Sequence, residues 1–196
     1  MKNFNYYTTT RLIFGKGIFL FIFCLSFIFV FGSIANAKVL VAYFTLSGNT
    51  EKVAKNIQKA VNGDLYKIEL LKPYPKEYKK QTELAKQELK DNVFPAIKEG
   101  PANIDDYDVV FIGSPVWWGT MSTPVRTFLN SGNLKGKVVI PFVTHGGGGA
   151  DNSFSDTKKL CNGCKSVIEK GWSGYGSMGI GAEKWAKNVL KNINTK

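Results

Sequence analysis

The 196-residue sequence predicts an α/β fold, an open five-stranded parallel sheet with helices on both faces. Two observations indicate this fold. Apolar runs of strand length alternate with segments whose apolar residues recur at helical spacing. The composition, 44% hydrophobic and 21% charged, suits one hydrophobic core. We therefore expect a single domain over residues 38–196, with right-handed crossovers between its parallel strands.

The first half of this domain supplies two strands and two helices. Lys38 to Phe44 (KVLVAYF) is a continuous apolar run, typical of a strand that is covered on both faces. Helical spacing predicts a helix from Glu51 to Val61, which Asn62-Gly63 then ends. Asp64 to Leu70 is expected to be the second strand, and Lys76 to Asp91 an amphipathic helix. Its inward residues would be Tyr78, Leu84, Ala85 and Leu89.

The second half supplies the other three strands. Apolar, β-branched runs place them at Tyr107 to Gly113, Lys137 to Val143 and Ser166 to Lys170. The helices between and after them are expected to begin near Thr123-Pro124 and to span Phe154 to Leu160 and Glu183 to Ile193.

The first 37 residues form a separate segment. Lys2, Arg11 and Lys16 precede an apolar run over residues 17–34, and Ala35-Asn36-Ala37 follows it. This pattern is typical of a signal peptide that is cleaved after Ala37, so we expect an exported protein, periplasmic or secreted. The alternative is an uncleaved membrane anchor through residues 17–34.

The charge distribution argues against a nucleic-acid ligand. The three basic residues named above are the only charged ones before Lys38, so the 26 basic and 15 acidic residues leave residues 38–196 with a net charge of +8. These charges are scattered lysines with a single arginine, Arg126, whereas nucleic-acid recognition favours arginine. We expect a solvated lysine-rich surface, or affinity for an acidic partner or an anionic membrane surface. With one His and three Cys, a zinc site is not expected either.

Three loops should meet at one edge of the sheet, because ligands of open parallel sheets bind at the carboxyl ends of the strands. The first, TLSGNT, offers hydroxyl groups, an amide and the N–H groups of a helix start, which suit a monophosphate. Alternatively, Ser47 or Asn49 only caps the helix. The second loop, SPVWWGT, carries two adjacent tryptophans that a flat aromatic ligand could cover. The third, THGGGGADNS, supplies backbone N–H groups with little side-chain bulk.

These segments resemble the flavodoxin-like family, which binds FMN with the phosphate in a T-x-S-G-N-T loop. VAYFTLSGNT (residues 41–50) is similar to that loop, and GSPVWWGTMSTPVRTFL (residues 113–129) to the second flavin loop. The resemblance implies a three-layer flavodoxin-like sandwich and FMN as the cofactor. It places the phosphate at Thr45, Leu46, Ser47, Gly48, Asn49 and Thr50. It places the flavin ring beside Ser114, Pro115, Val116, Trp117, Trp118 and Gly119, with Trp118 the stacking residue, and the ring edge beside Thr144, His145, Gly146, Gly147 and Gly148.

Cys161 and Cys164 form a C-x-x-C pair before the fifth strand, at the end of the sheet opposite the expected flavin. In an oxidising compartment we expect a structural disulfide, with two free thiols or a thiol-exchange site as alternatives.

The resemblance implies a flavoprotein that transfers electrons between partners outside the cytoplasm, with no catalytic acid or nucleophile. The partner would be a redox protein or a small acceptor such as a quinone. One alternative is an FMN-dependent quinone or NAD(P)H oxidoreductase in which His145 donates a proton. Another is a binding module that keeps the scaffold without redox chemistry.

Overall fold

The computed structural model describes residues 37–131 and 133–194. Its strands are β1 (Val39–Tyr43), β2 (Asp64–Lys67), β3 (Val109–Trp117), β4 (Thr120–Met121), β5 (Val138–His145), β6 (Ser166–Val167) and β7 (Trp172–Tyr175). Its helices are α1 (Asn49–Val61), α2 (Tyr78–Lys90), α3 (Thr123–Asn130), α4 (Ser153–Leu160) and α5 (Ala182–Asn194). The predicted signal segment lies outside the described residues, apart from Ala37. Among the helices described, none combines the length and the apolar character of a membrane span.

The sheet confirms the predicted fold class. Its strands follow the order β2-β1-β3-β5-β6, and each neighbouring pair is parallel. Side chains alternate along β1: Val39, Val41 and Tyr43 pack into one core, while Leu40 and Ala42 pack into a second. Helices α1 and α5 cover the first core and α3 covers the second, so the sheet is buried on both faces.

One strand, over Ser166 to Lys170, is predicted at the fifth position of the sheet, but the structure has two. Two short strands share it, because β6 pairs with Val138 and Val139 of β5, and β7 pairs with β5 from Phe142 onward. The interruption coincides with Pro141, which has no N–H group to donate to a neighbouring strand. At the same level Gly171 passes so close that a Cβ atom there would lie 2.2 Å from the Pro141 carbonyl oxygen.

The third strand is longer than predicted. It does not end at Gly113 but continues to Trp117, and β4 folds back on it with Val116 opposite Met121 and Trp117 opposite Thr120. Trp118 and Gly119 make the two-residue turn between the strands, with φ angles of 50° and 79°. Positive φ at both positions is the geometry of a type I′ hairpin. Much of the predicted second loop is therefore a β-hairpin that projects from the ligand edge of the sheet.

Helix α2 faces the domain with only part of the predicted set, in which Ala85 is buried and Leu89 partly buried. Tyr78 is 78% exposed and Leu84 is 41% exposed, whereas Ala85 and Glu88 are buried. The carboxylate of Glu88 accepts hydrogen bonds from the hydroxyl groups of Tyr74 and Thr123. A polar residue therefore occupies an inward position of the helix, while Tyr78 and Leu84 lie on its outward side. Strand β2 is also shorter than predicted, ending at Lys67, and Leu70 forms only an isolated bridge with Ile97.

Candidate functional site

The three loops that the sequence singles out meet at the carboxyl ends of β1, β3 and β5. There they surround an open cleft of about 580 Å³. Its size falls within the range typical of small-molecule and cofactor sites, about 300–1,000 Å³. The lining residues are Ser47, Asn49, Thr50, Tyr78, Pro115, Val116, Trp117, Thr144, His145, Gly146, Tyr175, Gly176, Ser177 and Met178.

One end of the cleft is formed by the amino terminus of α1. Gly48 precedes the helix in a left-handed conformation, with φ of 85°, and no described side chain caps the helix there. The capping role considered for Ser47 and Asn49 is therefore not observed. The first N–H groups of an α-helix have no acceptor within it, and together with the helix dipole they favour an anion. This end of the cleft thus offers uncompensated donors beside the hydroxyl of Ser47 and the amide of Asn49.

Two hydrogen bonds hold this loop in place. The backbone N–H of Gly48 donates to Oγ1 of Thr45 over 3.0 Å, which closes the turn before the helix. The hydroxyl of Thr50 bonds to that of Thr144 over 2.8 Å, and both residues are buried. The Thr50–Thr144 bond joins the start of α1 to the end of β5, so it links the first and third loops at the floor of the cleft.

Trp117 forms the aromatic wall of the cleft. Its ring packs edge-on against Phe44, with centroids 5.7 Å apart, and against Tyr74, with centroids 5.6 Å apart. Because these contacts fix the indole from behind, the ring is held against the cleft without help from a ligand. Pro115 and Val116 continue the same wall.

Trp118 lies on the other side of the hairpin. Its indole N–H donates to the carbonyl oxygen of Thr82 in α2 over 3.3 Å, and Lys86 Nζ lies 4.7 Å from its ring centroid. The ring is 57% exposed and is not among the described residues that line the cleft. Of the two tryptophans, Trp117 thus lines the cleft, whereas Trp118, the expected stacking residue, faces α2.

Other predicted residues support the cleft from outside it. Ser114 is buried, and its hydroxyl bonds to the hydroxyl of Ser122 over 3.0 Å and accepts from the Ser122 N–H over 2.9 Å. These bonds fix the base of the hairpin. Leu46, Gly119, Gly147 and Gly148 also lie outside the described lining.

A buried polar cluster supports Trp117 from the protein interior. Glu88 of α2 accepts hydrogen bonds of 2.5 Å from both Tyr74 and Thr123, and the two hydroxyl oxygens lie 2.7 Å apart. Burial, followed by the hydrogen bond to the Glu88 carboxylate, raises the pKa of Tyr74 above its ordinary value. Tyr74 therefore stays a neutral donor, and its ring keeps its contact with Trp117.

The glycine-rich loop brings His145 to the rim. Nδ1 of His145 accepts a hydrogen bond of 3.1 Å from the Gly147 N–H, which leaves Nε2 directed away from its own loop as a donor. The ring packs edge-on against Tyr175, with centroids 6.4 Å apart. His145 thus stands where a ligand in the cleft could meet it.

Sequence reasoning missed a fourth segment of the cleft. Tyr175 to Met178 begins at the last residue of β7, within a glycine-rich stretch to which the sequence analysis assigns no role. The rule used for the other loops, that ligands bind at strand carboxyl ends, would have found it if the fifth strand had been extended past Gly171. Tyr78 of α2 was also missed as a lining residue, because the helical pattern placed it inward.

The disulfide between Cys161 and Cys164 lies at the opposite edge of the sheet. The Gly163 carbonyl accepts a hydrogen bond from the Gly136 N–H, just before β5 begins, and Lys165 N–H donates to Lys137. Cys161 is buried and Cys164 partly so, in the core beneath α3. The predicted pairing is thus present, at the amino ends of the strands, remote from the cleft.

Comparisons with known proteins agree with this geometry. The family model described as flavodoxin matches residues 38–187. A flavoprotein structure from Bacteroides eggerthii is 35% identical, with a TM-score of 0.67, and the match covers 82% of this chain and 99% of that one. A flavoprotein from Lactobacillus acidophilus, solved in complex with FMN, is 26% identical, with a TM-score of 0.62, covering 77% and 99%.

A curated relative adds an enzyme to these matches. The NAD(P)H dehydrogenase (quinone) of Chromohalobacter salexigens is 28% identical in a 128-residue alignment that covers 57% of this chain. The match spans 60% of the length of that relative.

Proposed function

Because the chain belongs to the flavodoxin family, we propose that its cleft binds FMN and that the protein carries electrons between redox partners outside the cytoplasm. The observation that carries the proposal is the arrangement of the cleft, with an uncapped helix start at one end and the fixed indole of Trp117 on its wall. FMN has a phosphate at one end, which matches the helix start, and a flat aromatic ring at the other, which matches the indole.

The phosphate would bind at the start of α1. The N–H groups of the first turn and the Ser47 hydroxyl supply donors, and the left-handed Gly48 leaves open space, since a Cβ atom there would meet nothing within 4 Å. No lysine is needed, because the partial positive charge of the helix terminus favours the phosphate. Glu51 in the same turn is paired with Lys55 at 2.6 Å, which offsets its negative charge.

The isoalloxazine ring would lie between the hairpin and the loops after β5 and β7. Trp117 offers an aromatic face on one side, while Tyr175 lies on the other rim next to His145. Thr144 to Gly146 presents main-chain groups to the polar edge of the ring. When bound, FMN supplies one- and two-electron redox chemistry, and the protein tunes it by stacking, hydrogen bonds and charge.

The net charge should influence that chemistry. Residues 38–196 carry +8, and a positive field favours negative charge on a reduced cofactor. We therefore expect the second electron to be added more readily than in an acidic carrier. The same charge favours an acidic redox partner, or contact with an anionic membrane surface, and the signal-like segment over residues 1–37 supports an exported location.

A second candidate is an FMN-dependent quinone reductase. Two observations favour it: the curated relative named above, and His145 at the rim, whose Nε2–H could donate a hydrogen bond to a quinone oxygen. An exported enzyme would lack ready access to NAD(P)H, so this candidate ranks below the carrier.

The two candidates differ in turnover. The test uses the FMN-loaded protein with NADH or NADPH and a soluble naphthoquinone, and follows the absorbance of the nicotinamide. A carrier should show no quinone-dependent oxidation of NAD(P)H, but its chemically reduced form should be reoxidised by an acidic electron-transfer protein, more slowly at high salt. Sustained turnover with NAD(P)H would replace the carrier with the reductase.

A further inference from the structure

A smaller cavity adjoins the cleft, between α2 and the β3–β4 hairpin. This side cavity has a volume of about 200 Å³. Its walls include Tyr78, Gln81, Thr82 and Ala85 from the helix, and Trp117 and Trp118 from the hairpin. It is below the range of about 300–1,000 Å³ that drug-sized ligands occupy, so it suits a head group of one or two rings.

The side cavity and the cleft share walls. Tyr78, Val116 and Trp117 line both, which makes the hairpin strand the partition between them. A ring in the side cavity would therefore lie next to whatever Trp117 contacts in the cleft. This adjacency suits a molecule that exchanges electrons with a cofactor in the cleft, because electron transfer requires the two groups to be close together.

Trp118 adopts an unfavourable backbone conformation to line this cavity. Its φ of 50° places a bulky aromatic residue in the left-handed region, at a turn position that favours Asn, Asp or Gly. Such strain concentrates at functional sites. In this conformation the indole N–H of Trp118 donates a hydrogen bond to α2, and the ring forms a wall of the side cavity.

The polar groups of the side cavity indicate the kind of ring. Gln81 is half-buried, and its side-chain amide bonds to no group among the described residues, so two N–H donors are free. Lys86, over the Trp118 ring, adds positive charge next to the cavity. These features favour a flat apolar ring that carries hydrogen-bond acceptors, and they disfavour a cation.

We propose that the side cavity binds the ring of a quinone-class electron acceptor, with the Gln81 amide donating to a quinone carbonyl oxygen. This inference rests on the proposed function, because the acceptor takes its electrons from reduced FMN. The fully reduced cofactor gives up two electrons and two protons and returns to the oxidised form, while the quinone takes up both and becomes the hydroquinone.

The test measures binding of 2-methyl-1,4-naphthoquinone to the oxidised, FMN-loaded protein without any reductant. Gln81→Leu removes the donor and keeps the helix, so the dissociation constant of the quinone should rise about 2- to 10-fold, the value of one neutral hydrogen bond. Gln81→Trp fills the cavity and should weaken quinone binding by more than Gln81→Leu does. Gln87→Leu, an exposed glutamine of the same helix, is the matched control and should change nothing.

A second probe, 2-methylnaphthalene, tests the carbonyl assignment, since it has the ring without the oxygens. Gln81→Leu should leave its affinity unchanged. Equal loss of affinity for both probes, unchanged quinone affinity in both Gln81 variants, or absence of quinone binding would overturn the inference. The FMN affinity of each protein is measured in parallel: a protein that binds no FMN contradicts the proposed function, whereas normal FMN binding with unaltered quinone binding contradicts the side cavity alone.

Discussion

Trp117 and Trp118 are adjacent in sequence but occupy different environments. Trp117 lies in the last strand position of β3 and faces the cleft, whereas Trp118 turns to α2 through a left-handed backbone conformation. The sequence shows the pair but not the sign of φ at the second residue, and that sign decides which ring faces the cleft. This is why the sequence could indicate both tryptophans but not which of them lines the cleft.

The first prediction concerns these two residues. Trp117→Ala should weaken FMN binding about tenfold or more, because it removes an aromatic stacking contact of about 0.5–1.5 kcal/mol together with buried apolar area. Trp118→Ala should have a smaller effect. Titration of each variant with FMN, followed by flavin fluorescence, measures both. Trp117→Phe, which keeps a ring, controls for lost packing against Phe44 and Tyr74. A larger loss in Trp118→Ala than in Trp117→Ala would contradict the assignment.

At the scale of elements, helix α2 is held by the polar contact of Glu88 rather than by a broad apolar face. Helical periodicity correctly located the helix, but it placed Tyr78 and Leu84 inward because it ranks residues by hydrophobicity alone. The partners of Glu88, Tyr74 and Thr123, come from a loop and from another helix. A contact of this kind depends on tertiary structure, so no local pattern could reveal it.

The second prediction tests the contact. Glu88→Ala should lower the free energy of unfolding by about 2–3 kcal/mol, because hydrogen bonds to a charged group are lost and two buried hydroxyl groups lose an acceptor. Glu88→Gln keeps an acceptor and should cost less. Urea unfolding measures both, with Glu83→Ala on the exposed side of the same helix as the matched control. Equal stability of Glu88→Ala and Glu83→Ala would show that α2 does not depend on this cluster.

The strands, too, depend partly on local sequence pattern and partly on tertiary contacts. β1, β3 and β5 are continuous apolar runs that are buried on both faces, so their pattern alone predicts a parallel sheet. The split of the fifth position into β6 and β7 depends on Pro141 of the neighbouring strand and on the close passage of Gly171. Missing that split also hid the lining segment from Tyr175 to Met178.

Across the whole molecule, the two ends of the sheet have separate tasks. The cleft lies at the carboxyl ends of the strands, and the Cys161–Cys164 disulfide lies at their amino ends, against the Gly136 backbone. The general rule for ligand sites in open parallel sheets was enough to choose, from sequence, the edge at which the cleft lies. This separation leads us to expect that the disulfide supports the fold rather than the flavin chemistry.

The third prediction separates these tasks. Replacing both cysteines by serine should lower the free energy of unfolding by about 1–2 kcal/mol, the value that loop-closure entropy gives for so short a loop. FMN affinity and the potentials of the bound cofactor should stay the same. Urea unfolding and a redox titration of the FMN-loaded variant measure the two effects. A shift in the flavin potentials would instead indicate that the cysteine pair communicates with the cofactor.

The most direct measurement of the central claim compares the binding of FMN and of riboflavin to the protein. The two ligands share the ring and differ in the phosphate that the start of α1 is proposed to hold. We expect one FMN per chain, with quenched flavin fluorescence from the aromatic wall, and riboflavin bound at least tenfold more weakly. Equal affinities would contradict the proposal that the start of α1 holds the phosphate. Failure to bind either ligand would contradict the assignment of the cleft as a flavin site.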